Sequence, residues 1–289
     1  MSGRATTARR RTSRLLVRFL TSFTGPWSRA NLVAWLKLIG VLVFIKGCMV
    51  DQYSIPSASM EPTLHGDPRF LRGDRMLANK WIFGPRIPFT TLRLWDWAEP
   101  KRWDIVVFQA VDPDSEHPVL VKRVVGLPGE RVHISWGQLE VNGVPVPFPE
   151  DMPEGVQYFN NMDLLGMMLR AESAEARSFF QAVREKYPLL YGVLEDEEYA
   201  IVPEGHYFLL GDNSLHSVDG RVFGWVPRDK LLARGIAIWW PWAHRRDFSG
   251  FSHRWWGLAL LYGVPVALVA HEVRSYRRQR ARNAKSRPA

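Results

Sequence analysis

Residues 31–50, NLVAWLKLIGVLVFIKGCMV, form an apolar run of the length a helix needs to cross a bilayer, about 20 residues. No other stretch constrains the chain as strongly, because so much apolar side chain must leave water for lipid or for a core. Its two lysines, Lys37 and Lys46, stand near the ends, where their stems lie along apolar surface and their ammonium groups reach the interfaces. The run follows an arginine-rich leader and has no small-residue cleavage site, which predicts an uncleaved anchor rather than a removed leader. A second run, WWGLALLYGVPVALVAH at 255–271, is near the lower limit for spanning, opens on an aromatic pair and contains Pro265. It reads as a second transmembrane helix, or as a helix lying on the membrane or packed on the first.

Charge gives the two runs a direction. Arg4, Arg9, Arg10, Arg11, Arg14, Arg18 and Arg29 precede the first, and Arg274, Arg277, Arg278, Arg280, Arg282, Lys285 and Arg287 follow the second. The chain is +9 overall against +14 in these tails, so the body between them is mildly acidic and nucleic acid is not an expected partner. If both runs span, the positive-inside rule puts both basic tails in the cytoplasm and the body on the opposite side. The single cysteine, Cys48, rules out an intrachain disulfide, a CxxC pair or a cysteine-based zinc site, and no ligand cluster with metal spacing appears. No metal or cofactor is expected. The expected organisation is a basic tail over 1–30, a transmembrane helix over 31–50, a β domain over 51–252, a second transmembrane or interfacial helix over 253–272 and a basic tail over 273–289.

Between the runs, short segments rich in Val, Ile, Phe and Trp (DIVVF, VLVKRVV, RVHIS, QLEVNGVPV) alternate with turn signals such as HGD, RGD, LPGE and VNG. This punctuation predicts a mainly β, antiparallel domain with a hairpin turning at Asn142-Gly143. Residues 160–187 change to helical patterning, a helical insertion in the β fold, before strands return at EYAIVPEGHYFLLGDN and LLARGIAIWW. Met162, Met167 and Met168 make the insertion either an adaptable apolar surface or a structural cap.

The chemistry concentrates in SIPSASMEPTL, residues 54–64, where Ser57 and Ser59 place two hydroxyls two residues apart. A serine nucleophile needs a base, yet GxSxG is absent and the eight histidines assemble no evident triad. A neutral lysine is an alternative base. In HPVLVKRVVGLPGE, period-two alternation sets Leu120, Lys122 and Val124 on one strand face and Val121 and Arg123 on the other. If Lys122 faces the core, desolvation brings its amine toward neutrality near pH 7; if Arg123 is the inward residue, Lys122 reaches solvent.

IPSASMEPTL, GDRMLANKWIFG (73–84), RWDIVVFQ (102–109), VKRVVGLPGE (121–130) and GDNSLHSVDGRVFGWV (211–226) together resemble, in the same order, the motifs of bacterial type I signal peptidases. The resemblance covers most of residues 50–240 outside the insertion. It implies a signal-peptidase/LexA-like antiparallel β-sheet catalytic domain flanked by transmembrane helices. It also implies hydrolysis of preproteins after an Ala-x-Ala motif, with Ser59 as nucleophile and Lys122 as general base. Ser57 would complete the oxyanion hole, though a serine beside Pro56 also suits a turn cap. Ser217 would hydrogen-bond the lysine amine, and Asp219 with Arg221 would brace the site. Gly220 departs from the family, which often has serine there. The segments Gln52–Pro56 and Arg75–Asn79 would line the substrate groove, with Ile55, Pro56, Met60, Leu77 and Val107 as substrate-binding residues. Implied partners are signal peptides, membrane lipid and the secretion translocase, with the active site on the periplasmic face of a bacterial inner membrane. Trp81, Trp95, Trp97 and Trp103 suit either a face resting on lipid or an ordinary core. Alternatives are a specialised pilus- or substrate-specific Ser/Lys peptidase of the same fold, or a scaffold that binds signal segments without cutting. A LexA-type repressor would need a DNA-binding domain where the anchor stands.

Overall fold

A computed structural model describes residues 28–86, 93–113, 115, 117–186 and 189–259, with single positions between 263 and 274. The arginine-rich leader before Ser28, most of the second apolar run and nearly all of the C-terminal tail lie outside the described residues. The chain divides into two units at Met49/Val50.

The first unit is helix α1 (Arg29–Phe44), continued by a π-helical turn, Ile45–Met49. Asn31–Met49 is the one helix among the described residues long and apolar enough to cross a membrane. Its 19 residues rise about 28 Å at 1.5 Å each, close to the roughly 30 Å thickness of a hydrocarbon layer. Leu32, Leu36, Ile39, Val43 and Phe44 are all exposed along it, as an apolar helix without a protein core around it requires. Of the second run, α6 (Trp255–Leu258) is helical at its start.

The second unit is mainly antiparallel β. Strands β1 (Val50–Ser54), β2 (Arg75–Asn79), β3 (Ile105–Gln109) and β4 (Val119–Gly126) are followed by β5 (Val132–Ser135), β6 (Gln138–Val141) and β7 (Val144–Val146). After helices α2 (Asn161–Arg170), α3 (Ala174–Lys186) and α4 (Glu197–Ala200) come β8 (His206–Leu210), α5 (Gly220–Phe223), β9 (Val226–Pro227), β10 (Leu231–Trp240) and β11 (Arg246–Asp247). The large sheet runs β1-β2-β10-β3-β4-β8-β9, with β11 beside β10, and β5-β6-β7 form a second sheet. At the predicted hairpin, Asn142 (φ 53) and Gly143 (φ 76) both have positive φ, as a type I′ turn demands.

Strand β3 shows why the large sheet is buried on both faces. Its alternating side chains feed two cores: Ile105 and Val107 pack with Met60, Leu64 and Met76, while Val106 and Phe108 pack with Val124, Tyr207 and Leu209. A third core joins β4 and β8 to the small sheet through Val125, Phe208, Ile134 and Leu139. The expected insertion is two helices. Asn160 caps the first in a capping box with Asp163, whose carboxylate also accepts the Trp136 N–H from the small sheet. Met162 is exposed, whereas Met167 and Met168 are half-buried.

Candidate active site

Two apolar anchors shape the turn that carries the paired serines. Ile55 and Met60 are buried in the same core, so the Ser57–Ser59 segment between them is held at the surface as a short 3₁₀ turn, Ala58–Met60. Asn213 ties this turn from across the site: its N–H bonds the Ser59 carbonyl at 3.1 Å and its side-chain amide bonds the Ala58 carbonyl at 3.1 Å. The Ser57 Oγ lies 3.3 Å from the Ser59 Oγ.

Lys122 comes from the middle strand β4, between β3 and β8, and its Nζ is hydrogen-bonded to the Ser59 Oγ at 2.6 Å. The side chain is 3% exposed. Burial pulls its pKa from 10.5 down to about 8, against the upward pull of Asp219 and Asp212 and with a smaller downward push from Arg221. Alternation along β4 holds, with Leu120 and Val124 packed on one core and Val121 on another. The choice between Lys122 and Arg123 as the inward residue dissolves, because β4 is covered on both faces and both are buried.

Arg123 is half of a buried network that sequence reasoning missed. It grips Asp212 through Nε at 2.8 Å and Nη2 at 2.5 Å, and donates to the Trp103 carbonyl. Thr63 and Tyr158 donate their hydroxyls to the same carboxylate. Burial and the neighbouring Asp212 raise the Tyr158 pKa well above 10, which keeps this hydroxyl a donor. Asp212 and Asn213 sit in the GDN of the last motif; their polar character was visible in the sequence, but Arg123 as a partner, 89 positions away, was not.

Asp219 and Arg221 form a second buried pair. Arg221 Nε and Nη2 each lie 2.9 Å from an Asp219 oxygen, and the guanidinium also donates to the Phe159 and Ser214 carbonyls and the Ser214 hydroxyl. Arg221 beside it and the hydrogen bonds it accepts hold the Asp219 carboxyl below its ordinary value despite burial. Gly220 has a packing reason: a Cβ there would fall 2.7 Å from the Leu209 carbonyl oxygen and 2.8 Å from the Phe208 ring.

Ser217 departs from expectation. It is buried, but its hydroxyl makes no hydrogen bond among the described residues, so it does not hold the Lys122 amine in this structure. Its neighbour Gly211 explains the close fit, since a Cβ there would lie 2.1 Å from the Ser217 Oγ and 2.5 Å from the Ser59 carbonyl oxygen.

Ser57, Ser59 and Lys122 open onto a cavity of about 640 Å³. One wall is β1 with Ile55, Pro56 and Met60; the other is Val119–Lys122 of β4. This corrects the expected groove, because Arg75–Asn79 and Leu77 lie behind β1, and Val107 is fully buried in the core between Ile55, Met60 and Ala233. Both walls are strand edges. Among the described residues β1 pairs only with β2, and β8 covers β4 only from Arg123 onward, leaving Val119–Lys122 paired on the β3 side alone. Trp81, Trp95 and Trp97 cluster near the surface, while Trp103 packs against Phe148 and the third core. No group of three or more His, Cys, Asp or Glu among the described residues is arranged to hold a metal.

Comparison with known proteins gives matches over the same region. A family model described as signal peptidase, peptidase S26, matches residues 28–240. A signal peptidase I of Pseudomonas fluorescens is 27% identical over 238 residues, covering 75% of this chain and 75% of its own. A probable signal peptidase I-2 of Synechocystis is 30% identical over 216 residues, covering 74% of this chain and 72% of its own. A signal peptidase I of Rickettsia conorii is 28% identical over 221 residues, covering 70% and 76%.

Proposed function

From the premise that this chain belongs to the signal peptidase, peptidase S26, family of serine peptidases, we propose that Ser59 and Lys122 are its Ser/Lys dyad and cut preproteins after an Ala-x-Ala motif. The observation that carries the reading is a buried lysine with a pKa of about 8, hydrogen-bonded at 2.6 Å to a serine that opens onto a cavity between two free strand edges. A substrate segment extended between those edges adds a strand, and its alternate side chains, the two small residues of Ala-x-Ala, point toward the same wall. Ile55, Pro56 and Met60 line that wall.

In the first step the Ser59 hydroxyl passes its proton to the neutral Lys122 amine as Oγ attacks the scissile carbonyl. The Ser57 hydroxyl, turned from Ser59 to the developing oxyanion, and the Ser59 N–H stabilise the negative charge. The Lys122 ammonium then returns its proton to the departing amine, leaving a seryl ester. In the second half, Lys122 deprotonates a water that cleaves the ester and restores Ser59. Asp219 with Arg221 and Asp212 with Arg123 position this machinery from beneath. Helix α1 anchors the domain in the bacterial inner membrane, with the active site on the periplasmic face and both termini cytoplasmic if the second apolar run also spans. Signal peptides, lipid and the secretion translocase are the partners of this arrangement.

The test is cleavage of a preprotein bearing an Ala-x-Ala site by detergent-purified wild type and Ser59→Ala, with the product N-terminus read by mass spectrometry. Cutting after the final alanine by wild type alone supports nucleophile and specificity together. Folded wild type that cuts none of several such preproteins would overturn the reading in favour of a specialised peptidase or a signal-binding scaffold.

A further inference from the structure

A cluster outside the dyad faces the back of the serine turn. After β10 the chain makes a 3₁₀ turn, Trp242–His244, and His244 Nδ1 lies 3.0 Å from Asp74 Oδ1. Asp74 is 1% exposed, and its other oxygen accepts the His65 N–H at 2.7 Å. A carboxylate has no proton to give, so the imidazole donates from Nδ1. The His65 and His244 rings meet edge to face at 4.6 Å, and Glu61 stands 3.8 Å from the His65 Nδ1.

These contacts close a loop around the oxyanion side of the site. The Asp74 N–H bonds the His65 carbonyl at 2.9 Å, closing the loop His65–Asp74 on itself. The loop binds Ile55 at both ends: the Ile55 N–H bonds the Asp74 carbonyl at 2.9 Å and the Asp67 N–H bonds the Ile55 carbonyl at 3.1 Å. Gly66 lies so close to the backbone of Ser57 that a Cβ would fall 2.0 Å from its carbonyl carbon and oxygen. Gly73 also approaches the Ile55 carbonyl oxygen closely, at 2.4 Å for a Cβ. The position of Ser57 therefore depends on the loop, and the loop on the Asp74 carboxylate. Among the described residues, the side chain that holds that carboxylate from outside the loop is His244.

Resting on the catalytic reading above, we infer that His244 is a positioning residue for the oxyanion side of the site, setting the place of Ser57 through Asp74 and His65. A misplacement of about 1 Å can cost an enzyme roughly a hundredfold in rate, so a loosened loop is expected to lower kcat by tenfold or more. KM changes less than kcat, because β1 and Val119–Lys122 are held by their own ladders even though Ile55 on the substrate wall is bonded to the loop.

The experiment compares wild type, His244→Ala, His244→Asn, Ser57→Ala and the Ser57→Ala/His244→Ala double variant on one Ala-x-Ala preprotein, each checked for folding by circular dichroism. The inference expects His244→Ala to lower kcat by a larger factor than it raises KM, and His244→Asn, whose amide replaces the Nδ1 donor, to recover most of the loss. It also expects the double variant to be little worse than Ser57→Ala alone, since each removes the same oxyanion contact. Full activity in folded His244→Ala, or losses that multiply in the double variant, would overturn it. If His244→Ala does not fold, the comparison passes to His244→Asn and His244→Gln: the inference requires the first to be the more active, and equal activity refutes it. Failure of the catalytic reading is distinct, because wild type would then cut nothing.

Discussion

Replacing Lys122 by methionine should stabilise the fold at neutral pH while abolishing cleavage. Lys122 is 3% exposed, and burial takes its pKa from 10.5 to about 8. Between those values the unfolded chain binds a proton at this position that the folded chain does not. Stability therefore rises with pH from about 8 to 10.5, and below about 8 the fold carries the whole penalty. At about 1.4 kcal/mol per pH unit between the two values, that penalty is about 3 kcal/mol at pH 7. Methionine fills similar space without charge but gives up the 2.6 Å hydrogen bond to Ser59, a loss of about 1 kcal/mol. A net gain of about 2 kcal/mol at pH 7 should shrink toward zero near pH 9.5, where the wild-type penalty has fallen to about 1 kcal/mol. Urea unfolding of the detergent-solubilised proteins at both pH values measures it. Equal stabilities at pH 7, or a gain that is the same at both, would refute the claim that a desolvated amine sits at this position.

The same amine sets a rate profile: cleavage needs it neutral, so kcat/KM of wild type should rise with pH to a half-maximum near 8, about tenfold between pH 7 and 9, as initial rates will show. Ser57→Ala should lower kcat by about 10²–10³ in single-turnover measurements while the chain stays folded, the usual cost of one oxyanion donor. Asp212→Ala strips a buried guanidinium of its bidentate partner and should cost about 3–5 kcal/mol in urea unfolding, far more than an exposed pair would.

Much of this molecule was legible in one dimension wherever the cause is local. The apolar run at 31–50, the type I′ turn at Asn142-Gly143, the β character of DIVVF and the helical patterning of 160–187 each follow from the residues of that segment and their period. The Ser57, Ser59 and Lys122 constellation was legible through its resemblance to a family, carried by motifs that stand in the same order along the chain. Where the reading failed, the cause was always which elements became neighbours. Val107 and Leu77 were expected at the substrate, but β10 pairs with both β2 and β3, which puts Val107 in the core and Leu77 behind β1. Ser217 was expected to hold the lysine, yet it packs on Gly211 and its hydroxyl makes no hydrogen bond among the described residues.

The sequence by itself determined the classes of segment: an apolar helix of bilayer length, a punctuated antiparallel β domain, an inserted helical pair, and two hydroxyls and an amine suited to acyl transfer. Periodicity, turn chemistry and composition act over a few residues, and one dimension records them. Only the tertiary structure decided that Lys122 is desolvated, that Arg123 pairs with Asp212, and that His244 reaches Asp74 from 170 positions away. Desolvation and ion pairing depend on distance in space, and that distance is set by which strands meet in the sheet.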